Sequence, residues 1–336
     1  MKVLVTGGAG YIGSTICSAL EDQGHTPIIL DSLITGCEIF THGRIFYHGD
    51  IADLFVIDQI FHEHPEIAHT IHCAALISVP ESVERPYEYY QDNVAKSLEL
   101  FRLLHVHRCD NIIFSSSAFV YADADSFMVT ESSPLNPRSP YARTKYMMEM
   151  VLKDFCVAYG MRGVALRYFN PIGADPKMRS GSYMRNPSHV LGKLVSVATG
   201  QDTEFKITGV NWSTRDGSGI RDYIHVWDLA RAHVMAVERF AELFQNYEAD
   251  TYRVINLGTG CGVTVKELVH AFETVYQQPL NTVETAPRPG DVAGAYASAD
   301  VAWRLLGWKA LLSIEQGIAD ALKWETVKTE RVAVSV

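Results

Sequence analysis

Tyr141 and Lys145 stand four residues apart behind Ser139-Pro140, and this pairing is the first in the chain that could move a proton. Serine followed by proline reads as a helix start, with serine as N-cap and proline in the first turn. At a spacing of four, both side chains lie on one face of that helix. A free phenol has a pKa of ~10, and lowering it toward neutrality requires ~4 kcal/mol of preferential stabilisation of the phenolate. A lysine ammonium and a helix N-terminus can share that work. Ser115-Ser116-Ser117 follows an apolar run. A hydroxyl at such a strand end either forms a turn or hydrogen-bonds an oxygen that is being oxidised. Together the three residue types suit hydrogen removal from a carbinol.

An acceptor for that hydrogen is implied by Thr6-Gly7-Gly8-Ala9-Gly10-Tyr11-Ile12-Gly13. Gly8, Gly10 and Gly13, and equally Gly7, Gly10 and Gly13, fit a loop between the first strand and first helix, where backbone approaches a pyrophosphate and free N–H groups point at it. Asp31 ends the second strand, where a carboxylate accepts from ribose hydroxyls and repels a 2′-phosphate, favouring NAD over NADP. Asp50-Ile51 either flanks the adenine or precedes a helix that Asp50 or Asp53 caps.

The elements that must position these residues follow from the apolar pattern. Residues 2–6, 26–30, 44–48, 70–72, 111–115 and 163–167 read as strands, and 11–23, 53–64, 86–106 and 140–159 as helices. Alternation of this kind predicts a parallel sheet covered on both faces, with ligands beyond the carboxyl ends of its strands. The expected fold class is therefore α/β: a Rossmann doubly wound parallel sheet over 1–170, with a smaller mixed α/β C-terminal substrate domain over 171–336. Segments near 222–236 and 253–260 are expected to return to the first domain. Residues 170–220 are rich in Gly, Pro, Asn and Ser, with a helix expected around 188–199.

Composition narrows the function classes. Of 336 residues, 47% are hydrophobic and 20% charged, which is the balance of a folded globular chain. The net charge of −10 argues against nucleic acid or an anionic membrane as partner. No apolar run reaches the ~18–20 residues of a membrane span, and the N-terminus lacks signal-peptide features. The six cysteines are scattered without a C-x-x-C pair, so reduced thiols and a cytoplasmic location are expected. The His62/His64 and His105/His107 pairs lack further ligands at metal spacing, and no metal is expected.

The glycine loop, the strand-end serines and the Tyr/Lys helix, in this order, resemble the extended short-chain dehydrogenase/reductase superfamily, and within it the UDP-galactose (UDP-glucose) 4-epimerases. The resemblance runs through residues 6–13, 74–82, 114–121, 139–145, 167–173, 216–228 and 286–297. It implies Ser117, Tyr141 and Lys145 as the catalytic trio. It also implies NAD contacts from Gly7, Gly10, Tyr11, Ile12, Gly13, Asp31, Ser32, Asp50, Ile51, Ala74, Ala75, Asn93, Tyr141, Lys145 and Tyr168. A UDP-sugar is implied at Ser117, Tyr141, Asn170, His189, Val190, Thr208, Arg221, Arg288, Asp291 and Ala295, with Arg221 and Arg288 clamping the phosphates.

The related dehydratases and decarboxylases place a carboxylate just after the strand-end hydroxyl. Ala118 and Phe119 stand there in this chain, so epimerisation through a 4-keto sugar is the implied reaction. Ala295 stands where small residues accompany activity on N-acetylated sugars and tyrosine accompanies narrower pockets. Ile77 replaces a frequent cofactor-contacting lysine, which implies weaker NAD retention. The resemblance further implies a homodimer. Two alternatives stay open: an epimerase of UDP-pentoses or UDP-uronates, and a non-catalytic NAD-sensing protein.

Overall fold

The computed structural model describes residues 1–184, 187, 189–245, 251–287 and 292–334. Its centre is a sheet of seven parallel strands: β1 (Lys2–Thr6), β2 (Thr26–Asp31), β3 (Ile45–His48), β4 (His69–His72), β5 (Asn111–Ser117), β6 (Arg162–Tyr168) and β7 (Tyr252–Leu257). They lie in the order β7-β6-β5-β4-β1-β2-β3. The chain fills one half outward from β1, then crosses back to begin the other half at β4. The crevice between β1 and β4 is thus the switch point at which such sheets bind ligands.

Successive residues of a strand point to opposite faces, so each strand feeds two cores. Val3, Val5, Ile29, Ile113, Val164 and Leu166 pack on one side with the helices Tyr11–Asp22 and Val226–Glu238. Leu4, Ile28, Leu30, Ile112 and Phe114 pack on the other with Leu54–Glu63, Lys96–Val106 and Pro140–Tyr159. Nearly continuous apolar strands are what burial on both faces requires.

The strand pairing sets one row of termini. Thr6 lies beside Leu30 on one flank and His72 on the other, and Ser117 lies beside Tyr168. Tyr252–Leu257 pairs with β6 although more than eighty residues separate them in sequence, so a late segment completes the early sheet.

A third core collects Leu191, Leu194, Phe205, Ile207, Tyr223, Leu268, Phe272 and Ile318. Short strands frame it: Phe205–Thr208 with Thr282–Thr285, Asn170–Ile172 with Tyr223–His225, and a four-stranded group in which Ile220–Arg221 lies between Val263–Thr264 and Gly294–Ala297.

One expected helix differs. Residues 86–106 form Pro86–Tyr90, a wider π turn over Gln91–Ala95, and then Lys96–Val106. The extra residue in that turn swings Asn93 inward, and π turns inside α-helices often mark functional positions. The helix Val79–Glu84, capped by Ser78, was not expected from the pattern.

Candidate active site

The glycine loop joins β1 to the first helix under tight steric limits. Gly7 has φ +71°, and a Cβ there would stand 2.6 Å from the Ala74 nitrogen; a Cβ on Gly13 would stand 2.1 Å from the Gly7 carbonyl oxygen. Only glycine fits either place. Gly10 is the N-cap and has no side chain to cover the first-turn N–H groups, which leaves them available to an anion. At the end of β2, Asp31 accepts from Ala9 N at 2.9 Å and Leu33 N at 2.8 Å. Its carboxylate is therefore fixed in direction before any hydroxyl reaches it. A cradle that any Cβ would fill, beside an aimed acceptor, fits a dinucleotide.

The other expected cofactor residues occupy the same rim or support it. Ala74 and Ala75 stand just past the end of β4, behind Cys73. Asn93 accepts from Leu76 N at 2.8 Å, donates to Leu76 O at 2.9 Å and donates to Thr144 Oγ1 at 3.1 Å. It thereby ties the segment after β4 to the Tyr/Lys helix. Asp53 is the cap of the Leu54–Glu63 helix, whereas Asp50 bonds Ala52 N and pairs with Lys96 at 2.7 Å. Ser32 offers its carbonyl to the His48 ring at 3.2 Å, and Ile51 is buried. Tyr11 donates through its hydroxyl to Gly173 O at 2.7 Å, joining the first helix to the loop that follows Ile172.

Ser139 caps the helix Pro140–Tyr159 as expected, accepting from Ala142 N at 3.1 Å. That helix brings Tyr141 and Lys145 against the end of β5, where both are buried. Lys145 Nζ donates to Ser115 O at 2.8 Å and lies 5.1 Å from the centre of the Phe114 ring. Burial pushes its pKa down to about 8. Burial likewise pushes the Tyr141 phenol above its usual value, and a hydrogen bond with the Ser117 side chain pulls it back. Ser117 Oγ also accepts from Phe119 N at 3.3 Å, so one hydroxyl is held by the main chain on one side and by Tyr141 on the other. Tyr168, next to Ser117 in register, completes the wall; burial raises its phenol too.

One layer below lies an ion pair that the sequence reading did not single out. Arg167 donates to Glu149 at 2.9 and 2.6 Å, with both side chains only 4% exposed. Ser116 also donates to Glu149. Arg167 reaches Tyr121 Oη at 3.0 Å, and Tyr121 donates to Asn256 at 2.7 Å. Ser116, Arg167 and Asn256 are direct neighbours across β5, β6 and β7. The network therefore fixes the Tyr/Lys helix against three strands at once. Glu149 is the i+4 neighbour of Lys145, a spacing that could have flagged it; its partner on β6 was not visible in the pattern.

The expected substrate residues come from separate pieces. Asn170 begins a strand paired to Tyr223, and its N–H donates to Asp222 O at 3.0 Å. Arg221 lies beside Ala295 in register and donates to Ile220 O, Ala293 O and Val292 O at 2.7, 2.8 and 3.2 Å. Ala295 packs at the edge of a cluster with Val120 and Phe169. Thr208 ends the strand Phe205–Thr208. Val190 opens the helix Val190–Ala198. His189 caps it, accepting from Gly192 N at 3.1 Å, and burial drops its pKa to about 4. That ring is neutral, with one nitrogen occupied by the cap. Arg288 and Asp291 lie outside the described residues.

Cys17, Cys109 and Cys156 are buried, Cys37 and Cys73 are partly buried, and Cys261 is exposed on a turn where Thr259 bonds its backbone. All six cysteines are free. Among the described residues no group of three or more His, Cys, Asp or Glu could hold a metal ion, and no helix is long and apolar enough to cross a membrane.

The model of the NAD dependent epimerase/dehydratase family matches residues 3–258, from β1 to the completing strand β7. This chain belongs to that family. Among its relatives, the UDP-glucose 4-epimerase of Bacillus subtilis (strain 168) is 39% identical over 336 residues, covering 97% of each chain. The UDP-glucose 4-epimerase of Rhizobium meliloti (strain 1021) is 38% identical over 329 residues, covering 98% of each. A solved UDP-glucose 4-epimerase from Stenotrophomonas maltophila, with bound NAD and formylated UDP-arabinopyranose, superimposes with a TM-score of 0.92 at 36% identity. It covers 98% of this chain and 99% of that one. The doubly wound sheet expected from the sequence is the one found.

Proposed function

We propose that this epimerase-family protein is an NAD-dependent 4-epimerase of UDP-hexoses. It interconverts UDP-galactose and UDP-glucose, and the pair UDP-GalNAc and UDP-GlcNAc, through a transient 4-keto sugar. The observation that carries the reading is Ser117, Tyr141 and Lys145 gathered at the end of β5, with Ala118 and Phe119 next in chain. Neither of those two side chains can take up a second proton, as an elimination would demand.

When bound, NAD supplies the oxidised nicotinamide that accepts hydride from C4 and returns it, and its positive charge favours the phenolate. Gly7, Gly10, Gly13 and the Tyr11-Ile12 backbone hold the pyrophosphate, with Asp31 and Ser32 at the adenosine ribose, Asp50 and Ile51 by the adenine, and Ala74, Ala75, Asn93 and Tyr168 along the rest. Tyr141 takes the proton from the sugar 4-hydroxyl and later returns it. Ser117 holds that same oxygen. Lys145, anchored on Ser115 O, orients the cofactor edge and keeps positive charge near the phenol. Asn170, His189, Val190, Thr208, Arg221, Arg288 and Asp291 hold the UDP-sugar by its diphosphate and uridine. Ala295 leaves room for an N-acetyl group.

In this reading 1–170, with the segments near 222–236 and 253–260, binds the cofactor, and 171–336 binds the sugar nucleotide. Val83, Tyr87, Leu98, Met147, Met150 and Val157 are exposed apolar residues on the helices of residues 79–106 and 140–159. They fit a second copy of the chain, making a homodimer. Free thiols suit a reducing, cytoplasmic setting.

The test is to incubate the purified protein with UDP-galactose, adding no cofactor, and to resolve the sugar nucleotides by NMR. Conversion to a mixture with UDP-glucose is expected. Failure to convert either UDP-hexose pair, even with added NAD, would overturn the reading.

A further inference from the structure

Phe119 is the large side chain nearest the chemistry that no role so far uses. It is 43% exposed, unusual for a phenylalanine between the buried Val120 and Ser117. Its ring meets the Tyr141 ring edge-on, with centroids 6.3 Å apart and planes at 73°. Its N–H donates to Ser117 Oγ. One residue thus touches both groups assigned to the sugar 4-oxygen. Ala118 packs with Ala295 and Phe169 around Val120, so the apolar surface continues from the base toward the position set for the sugar 2-substituent.

In a hexose, C4 is flanked by C3 with its hydroxyl and by C5 with its exocyclic carbon. A side chain packed against the base at O4 borders one of these. When the ring turns over between the two half-reactions, it borders the other. A polar wall would bond the hydroxyls of one orientation and hold the ring there. An aromatic face meets C–H groups of either orientation about equally well, and it keeps water away from the ketone.

We propose that Phe119 is the wall on which the 4-keto sugar turns, retaining the ketone between the two half-reactions without fixing its orientation. The inference rests on the epimerase reading above. If the ketone leaves early, its two electrons stay behind on the nicotinamide, so a failing wall records itself as reduced cofactor.

The experiment compares wild type, Phe119→Leu and Phe119→Ser holoenzymes with UDP-galactose. Turnover is followed by chromatography, and reduced nicotinamide by its absorbance and fluorescence. Phe119→Ser is expected to lose about tenfold in kcat, to accumulate reduced cofactor over successive turnovers and to release UDP-4-keto-hexose seen by mass spectrometry. Phe119→Leu should stay close to wild type on all three readings. Thermal unfolding of each variant separates these effects from misfolding, which an exposed side chain should not cause.

Phe119→Ser matching wild type in turnover and cofactor state would overturn the proposal. So would equal losses in both variants without reduced cofactor, since packing against Tyr141 would then be the whole role. A wild-type enzyme that converts no UDP-hexose removes the epimerase reading and this inference with it, and that outcome is visible before any variant is made.

Discussion

On the β1 side of the cleft the wall is main chain. Gly7, Gly10 and Gly13 lie within seven residues, and Asp31 is aimed by two backbone N–H groups. On the far side, Asn170, Thr208, Arg221 and Ala295 sit on strands of two to four residues. Those strands pair with partners tens of residues away in sequence. The first wall accepts one ligand shape and, apart from Asp31, offers few side chains to vary. The second can change its residues while keeping its strands, so selectivity belongs there. The helix Pro140–Tyr159 carries Tyr141 and Lys145, the groups proposed to react.

Removing the reacting group should have the largest effect. Tyr141→Phe is expected to lower kcat by about 10²–10⁴-fold while leaving NAD binding intact, checked by turnover and by cofactor content after gel filtration. Wild-type turnover would show that another group is the base. Loss of NAD as well would show that the two walls are not separable at this helix.

The support beneath that helix comes next. Glu149→Ala leaves Arg167 charged and buried without its carboxylate, and a loss of about 3–5 kcal/mol in unfolding free energy is expected. Glu149→Gln should lose less, because Ser116 and Arg167 keep a hydrogen-bond acceptor. A loss below about 1 kcal/mol in urea titrations would mean that water replaces the pair.

The far wall should give a selective effect. Ala295→Tyr is expected to cut kcat/KM for the N-acetylated pair by about tenfold or more relative to UDP-galactose. Equal loss on both pairs would move the selectivity away from this strand.

A smaller, pH-dependent effect comes from Lys145, whose pKa falls from 10.5 to about 8 on burial. Between those values the unfolded chain binds more protons at this site than the folded one. The contribution of Lys145 therefore makes folding more favourable as pH rises from about 8 to 10.5. Lys145→Met should remove that part of the slope in stability against pH. An identical slope in both proteins would show that the folded lysine titrates as if exposed.

Much of the site was legible because local rules produced it. A glycine loop between a strand and a helix, a serine-proline helix start and a strand-end aspartate each need only a few neighbouring residues to be recognised. Asn93 was placed by resemblance, but the π turn that delivers it leaves no clear mark on a helical apolar pattern. His189 was expected at the substrate, and the structure adds a second task that its residue type did not announce: one ring nitrogen caps the helix Val190–Ala198. The Glu149–Arg167 pair looked like two ordinary charges on a helix and a strand.

The sequence by itself determined the parallel sheet, the cofactor loop and the spacing of Tyr141 with Lys145. These follow from periodicities and steric limits acting over one or two turns of chain. Only the tertiary structure decided which strand the returning segment Tyr252–Leu257 pairs with, that Glu149 meets Arg167 and Ser116, and that the exposed Phe119 ring faces Tyr141. Those contacts join residues up to 89 positions apart, and the burial that makes them matter exists only once the cores on both faces of the sheet have closed.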